Sequence, residues 1–217
     1  DHNTLYRNTG RGFFADISGR AGLAGSSRPF MGWGTFFFDY DQDGWQDLFV
    51  ANGHLLPAID RAGGGLRYRQ RNQLYRNLGN GRFREVSIDT SQSARQVSRG
   101  AAYGDYDEDG DLDILVCNLD AKPTLLRNDV PDKGHWIILA LRSGDLEAVG
   151  ARVFVDTGDQ RQIREVQTGS SFQSQSDTRL HFGLDSAIVA DIDIIWPGGQ
   201  RQVFHAVPAN HHYTIRR

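Results

Sequence analysis

The chain has one cysteine and one methionine in 217 residues, no apolar run near the length of a bilayer span, and no excess of basic residues. A lone cysteine, Cys117, excludes an internal disulfide and leaves the redox compartment open. It follows Leu115-Val116 in an apolar stretch, so it is expected as a packed thiol rather than a nucleophile. About 20 apolar residues are needed to cross a membrane as a helix, and no segment approaches that. Twenty-four Lys and Arg stand against 27 Asp and Glu, a formal net charge of −3. With no strongly basic domain and no base-reading motif, a nucleic-acid partner is excluded. Long amphipathic helical stretches are missing too. The 25 glycines and 11% aromatic residues suit many turns joining short strands.

Two nine-residue loops carry the chemistry. One is Asp39-Tyr-Asp41-Gln-Asp43-Gly44-Trp-Gln-Asp47, the other Asp105-Tyr-Asp107-Glu-Asp109-Gly110-Asp-Leu-Asp113. Each has carboxylates at positions 1, 3, 5 and 9 and glycine at position 6. Carboxylates so close repel one another unless a cation sits among them. An all-oxygen donor set suits a hard ion with six to eight ligands, so calcium is favoured over zinc or copper. The glycine allows a sharp turn, and the carbonyl of position 7 (Trp45 or Asp111) can point inward. The competing reading is an acidic, solvated turn without metal; two loops with one spacing weigh against it. Two calcium ions would move the formal charge from −3 to +1.

These loops do not close as EF-hands, which need a glutamate at position 12 between two helices. Position 12 is Val50 or Val116, and the flanks are Phe36-Phe37-Phe38, Leu48-Phe49-Val50 and Ile114-Leu115-Val116. Such short apolar, aromatic and β-branched runs read as strands. Each loop is therefore expected as a calcium-clamped turn between strands.

The loops belong to a longer repeat. Asn3-Thr-Leu5-Tyr6-Arg7-Asn8-Thr-Gly10-Arg-Gly12-Phe13 returns as Asn72-Gln-Leu74-Tyr75-Arg76-Asn77-Leu-Gly79-Asn-Gly81-Arg-Phe83, and Thr124-Leu125-Leu126-Arg127-Asn128 begins a third copy. The shift is 72 − 3 = 69 residues for this motif and 105 − 39 = 66 for the loops, and self-similarity at such a period signals an array whose units bury apolar faces against one another. Asn-Leu-Gly-Asn-Gly-Arg-Phe is a hairpin signal, because asparagine and glycine accept positive φ. Four short antiparallel strands per unit resemble a β-propeller blade. After Asn128 the repeat stops, and Asp129-Val-Pro131-Asp132-Lys-Gly134 reads as a turn-rich linker. Beyond it Trp136–Leu141, Ala151–Val155, Ile192–Trp196 and Gln202–Phe204 read as strands of a separate β-rich unit.

With those segments in view, residues 1–129 resemble the FG-GAP-like (VCBS) calcium-binding propeller repeats, the group that includes the integrin α-subunit calcium blades. Phe38–Asn52 and Gly104–Asn118 carry that match. Residues 130–217 resemble the ASPIC/UnbV domain of cartilage acidic protein-like proteins, on Gly150-Ala-Arg152-Val, Gly169-Ser-Ser-Phe172-Gln-Ser-Gln175, Arg179-Leu-His-Phe-Gly183-Leu and Ile195-Trp196-Pro197-Gly-Gly199. The expected fold is all-β: propeller-type blades, then a small sandwich-like domain. The resemblance implies a secreted, extracellular or periplasmic interaction or scaffold protein without reaction chemistry. It carries the calcium ligands onto Asp39, Asp41, Asp43, the Trp45 carbonyl and Asp47, and onto Asp105, Asp107, Asp109, the Asp111 carbonyl and Asp113. The alternatives are a carbohydrate-binding adhesin, a structural subunit of a larger extracellular assembly and, last, a cryptic hydrolase.

Propellers typically need at least four blades, and this chain holds about two units with partial ones. It is therefore expected as a fragment, or as a subunit completed by further blades of the same or another chain. The start at Asp1, without methionine or signal peptide, fits a processed product. Enzyme signatures are lacking. The seven histidines form no His-x-x-x-His pair, and His205, His211 and His212 are expected at the surface. Thr-Gly-Ser170-Ser171-Phe is not a nucleophile elbow. Asp191 and Asp193 alternate with isoleucines, as on a strand's solvent face. Gly63-Gly64-Gly65 lacks the strand–helix setting of a phosphate loop. The stretch Asp60–Arg71 interrupts the repeat with four arginines. Arg67 and Arg69 are its candidate contacts for an acidic protein or glycan partner, against the reading of a flexible solvated loop.

Overall fold

The computed structural model describes residues 2–62, 64–88, 95–131 and 133–217. Asp1, Gly63 of the expected glycine-rich loop and Asp132 of the expected linker lie outside the described residues. The N-terminal part holds three antiparallel sheets. Strands β1 (Tyr6–Asn8) and β2 (Phe14–Asp16) form a hairpin. A short helix, α1 (Leu23–Ser27), follows. Next, β3 (Gly32–Phe38), β4 (Asp47–Asn52), β5 (Gln73–Asn77) and β6 (Phe83–Val86) pair in chain order as one four-stranded meander. The next sheet repeats it with β7 (Ser98–Gly104), β8 (Asp113–Asn118) and β9 (Thr124–Leu126). These are propeller-type blades, and the described sheets do not close a ring.

The apolar alternation explains the packing. Phe36 and Phe38 are buried while Phe37 between them is exposed, as a period-two strand requires. All six residues of β4 are buried, so both faces of this strand are covered. Leu48 and Val50 pack with Leu23 and Tyr75 on one side. Phe49 and Ala51 pack with Phe36, Phe38, Ala101, Ile114 and Val116 on the other, which joins the two blades. Burying a side chain such as Phe49 contributes about 1.5–3 kcal/mol.

The C-terminal part is a two-sheet sandwich. In one sheet β10 (His135–Ser143) pairs antiparallel with β11 (Leu146–Glu147) and β14 (Leu180–Asp185), and parallel with β17 (His211–Arg216). The other has the order β13 (Arg161–Glu165), β12 (Arg152–Asp156), β15 (Val189–Ile195), β16 (Arg201–Pro208). Inward residues of both sheets form one core, including Ile137, Leu139, Val153, Phe182, Ile192 and Trp196. No described strand pairing joins β1–β9 to β10–β17.

One expectation needs correction. Cys117 is exposed, not packed. On β8 the buried face is taken by Ile114 and Val116, so Leu115 and Cys117 point the other way and are exposed. Asp191 does lie on the solvent face of β15, and His205, His211 and His212 are exposed.

Candidate metal centres

Both acid loops connect the inner strands of a blade. The register ends at Phe38↔Asp47 in one sheet and at Gly104↔Asp113 in the other, so each loop caps a hairpin at the same place. Their backbones match as well. Position 4 is left-handed in both, with φ 59° at Gln42 and 58° at Glu108, and the position-6 glycines have φ 83° and 93°. Two left-handed excursions separated by one residue turn the chain around a centre, and position 6 suits glycine, which lacks the Cβ penalty.

The hydrogen bonds repeat loop for loop. The position-1 carboxylate accepts from the position-6 amide, Gly44 N–H to Asp39 Oδ2 at 2.9 Å and Gly110 N–H to Asp105 Oδ2 at 3.1 Å. The position-5 carboxylate accepts from the position-7 amide, Trp45 to Asp43 Oδ1 at 2.9 Å and Asp111 to Asp109 Oδ1 at 3.0 Å. Asp47 accepts from Tyr40 N–H at 3.1 Å and Asn77 N–H at 2.7 Å; Asp113 does the same with Tyr106 at 3.0 Å and Asn128 at 2.8 Å. The acids at position 9 therefore tie each loop to the Arg-Asn end of the next repeat motif. The arginine before that asparagine turns back onto the loop. Arg76 Nε lies 2.7 Å from Asp41 Oδ2 and its Nη2 3.3 Å from Asp43 Oδ2, while Arg127 Nη1 lies 3.6 Å from Asp107 Oδ2.

Asp39, Asp41 and Asp43 bring carboxylate oxygens within 4.8 Å of one another, and so do Asp105, Asp107 and Asp109. Either triad could hold a metal ion. The first is the more enclosed, with Asp39 buried; in the second Asp105 is buried and the outer two are exposed. Three buried carboxylate oxygens of the triads, Asp39 Oδ1, Asp41 Oδ1 and Asp105 Oδ1, have no hydrogen-bond partner among the described residues. Buried acceptors are nearly always satisfied, so an orphaned carboxylate oxygen marks a place for a cation. Electrostatics agree. Burial, then the Asp43 and Asp41 charges, pushes the Asp39 carboxyl up to about 7, and burial pushes Asp47 up to about 8. Asp41, Asp105 and Asp113 are raised as well, mainly by burial. The folded loops thus resist their own charge unless something positive enters.

The other expected residues are placed as follows. The Trp45 side chain lies against Gly79 of the following hairpin. Asp111 uses its carboxylate to accept from Gln42 Nε2 at 2.7 Å and to pair with Lys133. Arg67 and Arg69 are exposed in the connection between β4 and β5, after a 3₁₀ turn at Pro57–Arg61. Arg69 Nη1 donates to Gln96 at 3.0 Å; Arg71 pairs with Glu85 and lies over the Phe30 ring. Sequence reasoning missed Gln42, which joins the two loops through Gly110 O at 3.1 Å and Asp111. It also missed the residues of the sandwich that face the loops: Gly134, Trp136, Gln160, His181, Gly183 and His212. Among the described residues, no helix is long and apolar enough to cross a membrane.

Blades whose hairpins end in paired acid loops, joined to a β-sandwich, define a repeat protein of propeller type with built oxygen sites. Comparison with known families agrees. Residues 60–116 match the FG-GAP-like repeat, spanning β5 to most of β8, and residues 142–217 match ASPIC and UnbV. No curated protein matches the chain. The chain therefore combines an FG-GAP-like repeat with a C-terminal ASPIC and UnbV region. Neither is a typical catalytic domain; FG-GAP-like repeats are generally protein-interaction modules, typical of extracellular proteins.

Proposed function

We propose that the protein is a secreted, calcium-binding interaction module in which two ions clamp the inter-strand loops of adjacent blades. The observation that carries this reading is the set of buried, partnerless oxygens on Asp39, Asp41 and Asp105, each within a carboxylate triad. Asp39, Asp41, Asp43, Asp47 and the Trp45 carbonyl form the first ligand set. Asp105, Asp107, Asp109, Asp113 and the Asp111 carbonyl form the second. Calcium supplies charge neutralisation and a fixed coordination shell, with no part in bond chemistry. Loops of extracellular modules bind at ~10⁻⁴–10⁻³ M, an affinity suited to an extracellular or periplasmic space where calcium is plentiful, and this supports a secreted location. Binding only to the folded form stabilises by about 2.7 kcal/mol per site at 100 times Kd.

The proposed division is residues 1–129 for the blades and 130–217 for the sandwich, in keeping with the absence of strand pairing between them in the described residues. The partner is a protein or a glycan, and further blades of the same or another chain complete the array. Exposed Arg67 and Arg69 are the proposed contact, and Arg67→Ala with Arg69→Ala should abolish capture of an acidic glycan such as heparin. Unchanged capture would remove them from that role.

The experiment for the calcium reading is thermal unfolding across a calcium titration, with excess chelator as baseline and magnesium as control. A calcium-specific rise in Tm, reduced in Asp43→Ala and in Asp109→Ala, is expected. A flat curve at millimolar calcium would mean that the loops are only acidic turns.

A further inference from the structure

The sandwich sits on the two acid loops, and the contacts use the loops' own backbone. Asp185 N–H donates to Gln42 O at 2.9 Å, Gly134 N–H to Asp41 O at 3.4 Å, and Gln160 Nε2 to Asp43 O at 3.4 Å. At the second loop, His181 Nε2 bonds Gly110 O at 3.0 Å and Arg179 Nη2 donates to Asp105 O at 3.3 Å. Packing is as close as the polar contacts. A Cβ on Gly183 would overlap Asp39 Oδ2 and come within 2.5 Å of Gln42 Cα, and one on Gly110 would overlap the Trp136 indole. Every one of these contacts depends on where the loop backbone runs, including the left-handed turn at Gln42.

A second zone lies on strands rather than on the loops themselves. The segment 170–177 lies along β3 and β7, with Thr35 N–H donating to Ser171 Oγ at 2.8 Å and Asp177 N–H to Tyr103 O at 2.9 Å. Phe172 packs edge-on to Trp33 with ring centroids 5.0 Å apart.

We infer that the two acid loops are the docking surface for the C-terminal sandwich, and that a cation held in them sets how firmly the sandwich is attached to the blades. The inference rests on the calcium reading above and extends it from clamping hairpins to joining the two parts of the chain. Without a cation, mutual repulsion spreads the carboxylates of each triad, and the carbonyls of Asp41, Gln42, Asp43, Asp105 and Gly110 leave the positions the sandwich needs. With a cation, those carbonyls are fixed in register before docking. The strap at 170–177 then keeps a weaker, metal-independent hold. Coupling of this kind is reciprocal, so loosening the strap must weaken the metal.

The test is hydrogen exchange of the full chain in calcium and in excess chelator, read at the Asp185 amide and at the β12–β15 pair. Calorimetric calcium titration accompanies it. The expected result is two calcium sites, with Asp185 exchanging more than tenfold faster after chelation while the β12–β15 amides stay protected. In Ser171→Ala/Phe172→Ala, calcium Kd should rise about fivefold or more, although neither residue touches a loop. Calcium binding without any change at Asp185 would overturn the docking role and leave the clamped hairpins standing. Equal loss of protection at β12–β15 would also overturn it, since the metal would then support folding at large. Absence of calorimetric binding would instead defeat the calcium reading on which both depend.

Discussion

The buried carboxyls of the first loop predict an inverted pH dependence that the metal should remove. Asp39 is raised to about 7 and Asp47 to about 8 in the fold, from an ordinary value of 3.8. A carboxyl raised on folding contributes stability at low pH and loses it as pH climbs through the folded value. Between pH 6.5 and 8 the loss is about 1 kcal/mol for Asp39 and somewhat under 2 kcal/mol for Asp47, together roughly 2–3 kcal/mol. His181, held down to about 4 by burial, works in the opposite sense, but only below about pH 6.5. In chelator, Tm should therefore fall by about 4–12 °C from pH 6.5 to 8, at about 2–4 °C per kcal/mol for a chain of this size. Calcium keeps the carboxylates ionised and paired, so the decline should vanish at saturating calcium and the calcium–chelator gap should widen with pH. Circular dichroism melts at four pH values decide it. A Tm in chelator that is flat or rises across this window, or a gap that does not depend on pH, would show that the fold does not hold these carboxyls protonated.

Removing Asp47 strands two backbone donors, so Asp47→Ala should cost about 2–4 kcal/mol in urea unfolding even in chelator; an effect seen only with calcium would make Asp47 a ligand and nothing more. Arg76 offers the only cationic side chain within 4 Å of Asp41 and Asp43 among the described residues. Arg76→Gln should lower Tm in chelator yet tighten calcium several-fold in a calorimetric titration, since a competing charge is gone; weaker binding would show that the guanidinium positions the carboxylates instead. Exposed Cys117 should react with a thiol reagent in the native protein at a rate near that of the unfolded chain, and full protection would restore the packed reading.

The loops were legible because their chemistry is local: four acids and a glycine within nine residues state both the donor set and the turn. The repeat was legible for a related reason, since Leu-Tyr-Arg-Asn recurs as a string, with Leu-Leu-Arg-Asn in the third copy, and the backbone amides of Asn77 and Asn128 meet the position-9 acids in both blades. Strands flanking the loops followed from Phe36–Phe38 and Leu48–Val50. Orientation was less accessible. Leu115-Val116-Cys117 reads as apolar throughout, and only the neighbouring sheet decides that Val116 faces inward and Cys117 outward. The junction could not be read at all. Gly183 and His181 lie more than 70 residues from the loop atoms they meet, and a single glycine or histidine has no pattern that tells a close approach from an ordinary strand residue. Gln42 was hidden for another reason: at position 4 its side chain belongs to no ligand pattern, yet it bridges the two loops.

Two ions, one in each loop, are what the paired acid loops should hold. Native mass spectrometry of the full chain in calcium counts them directly. Two calcium ions are expected on the unaltered chain, one on Asp43→Ala, one on Asp109→Ala, and none on the double variant. A distribution of bound calcium that is the same in all four proteins would contradict that expectation.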